Sequence, residues 1–319
     1  MSTSGAEQLE GRTRHGPTGV RRLRDAAFWV ISLGLVGLLG AADAAQWGAP
    51  AASGANAASA GFYLDVGASA SLGFQPTGVV HHNGARTQTG YANDVVAMLA
   101  RRGVNLSLRQ VGCPGETTYS MLHTGDHCYL GDGSQRRAAT IFLASHHDEV
   151  GLVSIDLGFN DVRACLWKQP PDLACTSAGL AQVRANLPGV ISLLKSAAGP
   201  RVHFVGLLYA DPFLSDVVNP RSSLADAEAT RRVIIQLDTE LTAIYRAADV
   251  AVANVPGAYR IDDTTLTTWG ATRVPVNVLY ACSWTWMCTP APFGPDDHPN
   301  NDGYRAIANT IVAAASGWF

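Results

Sequence analysis

Short apolar runs alternate along the chain with longer stretches in which hydrophobic residues recur every three to four positions. The runs GFYLDVG (61–67), NLSLRQVG (105–112), GLVSIDLG (151–158), RVHFVGLLYA (201–210) and VAVANVP (250–256) read as strands, being short and bounded by turn formers, the second by its period-two alternation and the others by their apolar character. Between them, YANDVVAMLARRG (91–103), ATIFLASHHDEV (139–150), TSAGLAQVRANLPGVISLLKSAAG (176–199), Leu224–Ala248 and GYRAIANTIVAAAS (303–316) carry helical periodicity. Thr176 or Ser177 is the expected N-cap of the third helix, and Pro188 its expected bend. Strands separated by helices call for right-handed crossovers, so the pattern predicts an α/β protein. Its expected architecture is a three-layer α/β/α domain around a central, mainly parallel five-stranded sheet.

Composition narrows the class. Hydrophobic residues at 47% and charged residues at 15% belong to a chain that buries a core rather than a disordered one. The net charge of -3, with no basic run in the main body, gives no footprint for a nucleic-acid partner. Arg12, Arg14, Arg21, Arg22 and Arg24 precede an uncharged run of 17 residues, 26–42, followed by Ala42-Asp43-Ala44. A basic region, an apolar region and a small-residue site read as a secretory signal over residues 1–44. The competing reading, a retained anchor, needs about 20 apolar residues to span a bilayer core. Residues 45–60 (AQWGAPAASGANAASA) form an Ala/Gly/Ser/Pro linker, which leaves 61–319 as the folded domain. The expected product is exported to the medium or cell envelope, is monomeric and has no stable membrane span once the signal is cleaved.

Export changes the reading of the six cysteines, an even number in an oxidising compartment favouring disulfides. They fall into three local pairs, Cys113 with Cys128, Cys165 with Cys175, and Cys282 with Cys288, and neighbour pairing is expected. The stretch HTGDHC, with His123, His127 and Cys128, raises a zinc reading, but it lacks the CxxC or HExxH spacing that zinc sites use. The pairs His81-His82 and His146-His147 have no acidic partners at ligand spacing and read as surface histidines.

Loops at the carboxyl ends of parallel strands build sites in such folds. Here those loops are GASASLG (67–73), GCPGETT (112–118) and GFNDV (158–162), joined by the late segment DDHPNNDGY (296–304). Ser69 follows a strand and a glycine, where a sharp turn exposes its hydroxyl near the start of the next helical segment. His298 is the histidine that sits beside carboxylates in a loop leading into a helix, with Pro299 restricting it. A serine activated by a histidine needs N–H donors for the oxyanion, and Ser69 N–H, Gly115 N–H and the Asn160 side-chain amide are suitable. Asp65 falls inside the first strand, where a buried carboxylate needs a partner. Asp161, next to Asn160, reads as capping or closing its own turn and not as a catalytic residue. Trp284 and Trp286, inside CSWTWMC, read either as the lining of an acyl pocket or as packing anchors.

In the order Ser, Gly, Asn, His, the segments YLDVGASASLG, VGCPGETT, IDLGFND and DDHPNNDGY resemble the four blocks of the SGNH (GDSL-type) hydrolases. The resemblance covers most of residues 61–319. It implies a flavodoxin-like α/β/α fold, no metal or other cofactor, and ester hydrolysis through an acyl-enzyme. Ser69 would be nucleophile and first oxyanion donor, Gly115 and Asn160 the other donors, and His298 the base. Two positions depart from the family pattern: Gly67-Ala68-Ser69 stands where Gly-Asp-Ser is usual, and Pro295 where the acid is common, three residues before the histidine. Alternation of side chains in an extended loop favours Asp296 as the group that orients His298, with Asp297 pointing away. The alternatives are Asp297 itself, or a backbone carbonyl from the CSWTWMC loop, which would leave both aspartates as a solvated loop face. The implied substrate is an ester of a lipid, an acylated sugar or a small alcohol. An acyltransferase would use the same groups, and a secreted carbohydrate- or envelope-binding protein would keep the fold with a degenerate site. An α/β-hydrolase elbow is disfavoured because Ser71 occupies its final glycine position.

Overall fold

The computed structural model describes residues 61–319 apart from 80–83, 124–127, 130–132 and 221. The expected signal and linker, 1–60, together with His81, His82 and His127, lie outside the described residues.

Each of the five apolar runs forms a strand: β1 (Gly61–Gly67), β2 (Leu106–Gln110), β3 (Val150–Asp156), β4 (His203–Leu207) and β5 (Ala251–Ala253). All neighbours pair in parallel, in the order β2-β1-β3-β4-β5. The chain moves outward from β1 to β2 and then reverses to β3, so the crevice at the carboxyl ends of β1 and β3 is a topological switch point. Open α/β sheets bind ligands at that place.

Helices cover both faces of the sheet, which is why its inner strands read as nearly continuous apolar runs, whereas the edge strand β2 alternates. The helices in chain order are α1 (Tyr91–Ala100), α2 (Thr118–His123), α3 (Gln135–Ser145), α4 (Phe159–Leu166), α5 (Leu173–Ala197), α6 (Leu224–Ala247), α7 (Val255–Ala258), α8 (Val276–Trp284) and α9 (Asn301–Ala314). Leu64, Val66, Val153 and Ile155 share a cluster with Leu143 of α3, Val183 and Leu187 of α5, and Leu237 and Leu241 of α6. On the other face Tyr63, Leu152 and Val205 meet Val95 and Leu99 of α1 and Ile307 and Ile311 of α9. A hairpin, β6 (Leu266–Trp269) with β7 (Thr272–Pro275), stands apart from the main sheet.

Two expected helix starts are corrected. The second predicted helix, α3, begins at Gln135 and not at Ala139, because Ser134 accepts the Arg137 N–H as its N-cap; it ends at Ser145, and residues 146–149 turn instead. The cap of α5 is Asp172, whose carboxylate accepts the Cys175 N–H. A carboxylate there also faces the positive end of the helix dipole. Thr176 and Ser177 lie one turn inside, with their hydroxyls on the Leu173 carbonyl. The helix continues through Pro188. Among the described residues no helix is long and apolar enough to cross a membrane.

Candidate active site

β1 ends at Gly67 and the chain turns at once. Ser69 precedes a three-residue 3-10 turn, Ala70–Leu72, and its carbonyl accepts the N–H groups of Leu72 and Phe74, both at 3.1 Å. One such turn carries little of the dipole expected from a following helix, so any charge developing here relies on individual N–H groups. The Ser71 hydroxyl donates to the Ala68 carbonyl at 2.7 Å. A Cβ on Gly112 would fall 2.0 Å from that hydroxyl oxygen, so glycine lets the loop after β2 close against the serine turn.

The loop is held from α3 by a side chain that sequence reasoning missed. Gln135, fully buried, clasps the Gly67 peptide from both sides: its Oε1 accepts the Gly67 N–H at 2.7 Å and its Nε2 donates to the Gly67 carbonyl at 3.0 Å. The same Nε2 donates to the buried Glu116 carboxylate at 2.8 Å, and the Glu116 carbonyl accepts Asn160 Nδ2 at 3.1 Å. A continuous set of hydrogen bonds thus fixes Asn160, on the first turn of α4, relative to the peptide two residues before Ser69.

The histidine loop is stitched to the segment just after α8. Thr285 and Pro299 form an antiparallel bridge. The His298 carbonyl accepts the Trp286 N–H at 3.2 Å, and the Trp286 and Trp284 carbonyls accept the Asp296 and Asn300 N–H groups at 3.3 and 3.0 Å. Asn300 then caps α9. In this frame His298 Nε2 lies 2.7 Å from Ser69 Oγ, and Nδ1 lies 2.8 Å from Asp296 Oδ1. An ionised carboxylate only accepts, so Nδ1 carries the proton and Nε2 is left to accept the serine O–H. Burial tends to raise the Asp296 carboxyl, but the hydrogen bonds and charge of His298 outweigh it and hold the carboxyl below its usual range.

Two of the three alternatives for the partner of Nδ1 are thereby corrected. The CSWTWMC loop bonds the backbone of His298 and not its ring. Asp297 Oδ1 is 3.9 Å from Nδ1, beyond hydrogen-bond range. Nor is Asp297 a solvated loop residue: its side chain is 2% exposed and accepts Arg163 Nε at 2.6 Å, Arg163 Nη2 at 2.9 Å and Trp167 Nε1 at 2.9 Å. Arg163 and Trp167 lie more than a hundred residues earlier, and local alternation carries no signal of them.

Gly115 has a left-handed backbone with φ 79°, which glycine adopts without strain. No described residue is found accepting its N–H or that of Ser69. Asp161 accepts the Thr118 N–H and hydroxyl at 3.0 and 2.6 Å, and so caps α2 rather than facing the serine. Asp65 has its partners in Tyr91, at 2.9 Å, and Ser154. Its complete burial pushes the carboxyl up to about 8, against those hydrogen bonds. Asp156, at the end of β3, accepts the Tyr209 hydroxyl at 2.8 Å and is pushed by burial up to about 6.

Ser69, Glu116, Asn160, Arg163, Asp297 and His298 line one cleft, of about 760 Å³ counting its open mouth. Gly115 is not among the lining residues, although its neighbour Glu116 is. The remaining walls are largely apolar, from Phe159, Leu208, Tyr209, Pro212, Val255 and Ile307. Trp284 and Trp286 do not line it. The first packs edge-on to Tyr259 and Tyr280, the second stacks on Phe293, so both are anchors.

The expected disulfides Cys113–Cys128, Cys165–Cys175 and Cys282–Cys288 are all present, and no described cysteine is free. The zinc reading fails at Cys128, whose sulfur is bonded to Cys113. His146 is also not a plain surface residue: it is half-buried and stacks on Phe142.

The chain matches no protein-family profile, and no curated relative matches it. Solved structures do. Phospholipase A1 from Streptomyces albidoflavus NA297 superposes with a TM-score of 0.55 at 16% identity, over 80% of this chain and 100% of that one. An extracellular lipase from Streptomyces rimosus gives 0.50 at 18%, over 80% and 100%. With the five-stranded parallel sheet and its switch point, these likenesses identify the domain's architecture as the three-layer α/β/α fold of the SGNH hydrolases.

Proposed function

We propose that this protein is an exported serine hydrolase of carboxylic esters. The observation that carries the reading is the unbroken line from Ser69 Oγ through the His298 ring to Asp296, with contacts of 2.7 and 2.8 Å. Ser69 Oγ attacks the ester carbonyl carbon while His298 Nε2 takes its proton. The tetrahedral oxyanion receives the N–H groups of Ser69 and Gly115 and the Asn160 amide. Collapse of the intermediate breaks the C–O bond, and the alcohol leaves with the proton from His298. Water then deacylates the serine by the same proton path. Asp296 keeps the ring in the Nδ1–H tautomer and stabilises the imidazolium.

The apolar walls of the cleft support an ester with a hydrocarbon acyl group over an acetyl ester. Export is supported by the three disulfides and by the signal-like residues 1–44. The test is hydrolysis of 4-nitrophenyl esters of rising acyl length by the full chain, beside Ser69→Ala and His298→Ala. Each buried CH₂ contributes about 0.8 kcal/mol, so kcat/KM should rise up to about fourfold per CH₂ until the cleft is filled. Both variants should lose almost all turnover. Comparable activity in either variant would rule out the pair, and a preference for acetyl esters would rule out the acyl assignment.

A further inference from the structure

The ion pair between Arg163 and Asp297 takes no part in the scheme above, yet it lies against it. Asp297 directly precedes His298, and its three accepted hydrogen bonds all come from α4 or the residue after it. The contact with Arg163 is a two-pronged fork, the geometry in which guanidinium holds a carboxylate most firmly. Arg163 Cζ also sits 5.9 Å from the Trp167 ring, and Trp167 packs edge-on against Phe213. The fork is therefore supported on its far side.

Asn160 and Arg163 are three residues apart on α4, a spacing that puts them on one face of a helix. One helix thus presents the amide proposed for the oxyanion and the guanidinium that grips the histidine loop. The Cys165–Cys175 disulfide fastens the end of the same helix to the start of α5.

Charge supplies the second half of the argument. The groups facing the His298 ring are Asp296 and Asp297 from its own loop, Asp156 from β3 and the Ser69 hydroxyl, while Arg163 from α4 acts on the two aspartates. Phe74 covers one side without charge, its carbonyl holding the Tyr304 hydroxyl of α9 at 2.6 Å. Two carboxylates thus stand within 4 Å of Nδ1, and the one that does not bond the ring is the one that Arg163 neutralises.

We infer that Arg163 is a positioning residue of the hydrolytic site, clamping the Asn160 helix to the His298 loop and cancelling the charge of Asp297 so that Asp296 alone acts on the imidazole. The inference rests on the serine-hydrolase reading of Ser69 and His298. Its test is the pH profile of kcat/KM and kcat, with a chromogenic ester, for the full chain and for Arg163→Gln, Arg163→Lys and the double variant Arg163→Gln/Asp297→Asn. Melting curves verify that each is folded.

Arg163→Gln leaves Asp297 uncompensated 3.9 Å from the ring nitrogen, which favours the imidazolium, so the acidic limb should move to higher pH. Loss of the clamp should lower kcat roughly tenfold or more with a smaller change in KM. Lysine keeps the charge but not the fork, and should hold the limb in place while losing part of kcat. The double variant removes both charges and should return the limb to its original pH without restoring kcat. An unmoved limb in Arg163→Gln, or a double variant that stays shifted, overturns the inference. If Arg163→Gln does not fold, the lysine and double variants decide: a shifted limb in either, or wild-type kcat in both, overturns it. Activity that survives Ser69→Ala would instead overturn the underlying reading, whatever Arg163 does.

Discussion

Asp296 Oδ1 accepts two hydrogen bonds from one residue, the His298 backbone N–H at 2.9 Å and ring Nδ1 at 2.8 Å. The first closes an aspartate turn over two residues, the local bond that Asp forms readily. The second uses the geometry of that turn to aim the ring at Ser69. A carboxylate two residues before the histidine thereby bonds the ring, and the position three residues before it holds Pro295.

The two neighbouring aspartates should therefore behave differently. Asp296→Asn presents an amide to Nδ1 and disturbs the tautomer, with an expected loss in kcat of about 10³-fold or more. Asp297→Asn keeps one acceptor for Arg163 and should cost about tenfold or less in kcat, while lowering Tm because a buried pair loses its charge. Steady-state kinetics beside thermal melts separate them, and the reverse ranking would transfer the orienting role to Asp297.

Asn160 offers a test of the oxyanion donors. One hydrogen of its Nδ2 is committed to the Glu116 carbonyl at 3.1 Å, which fixes the amide so that its other hydrogen is free to face the cleft. Asn160→Ala should reduce kcat by about 10²- to 10³-fold with little change in KM. A purely higher KM would mean that the amide binds substrate equally in ground and transition states.

Stability should fall as pH rises through the neutral range. Folding raises Asp65 from 3.8 to about 8, through burial, and raises Asp156, Asp161 and Asp211 to about 6, 6 and 7 for the same reason. Between about pH 4 and pH 8 the folded chain holds protons that the unfolded chain has released, so raising pH there favours unfolding. Asp296, held low, acts oppositely, and its contribution is lost as the pH drops below about 4. Tm should be higher near pH 5 than near pH 8. Asp65→Asn, neutral throughout, should flatten that slope; an unchanged slope would mean that Asp65 is ionised in the folded chain.

Much of the fold is legible in the sequence because a parallel sheet covered on both faces needs apolar runs, and β1, β3, β4 and β5 announce themselves that way, while the edge strand β2 shows itself by period-two alternation. α4 does not, since its first turn carries Asn160 and Asp161 and is followed by Arg163, so that the segment reads as a polar loop. α8 is masked by the neighbouring cysteines and tryptophans, and the hairpin β6-β7 by its exposed, threonine-rich strands. Within the candidate site, Ser69 and His298 are legible because each lies in a loop at a strand end or before a helix, and Asn160 because it follows closely on the end of β3. Gln135 is not, because its work is to act as a strand partner for the Gly67 peptide, a role with no local pattern. Asp297 misleads for a related reason: alternation tells which way it points relative to Asp296, but only the tertiary structure brings Arg163 to it.

The most direct measurement is covalent labelling with a fluorophosphonate, in which the serine oxygen bonds to phosphorus and fluoride departs. The modification, located by peptide mass analysis, should fall on Ser69, vanish in Ser69→Ala and become much slower in His298→Ala. Labelling at a different residue, or at an undiminished rate without the His298 imidazole, would contradict a serine activated by that histidine.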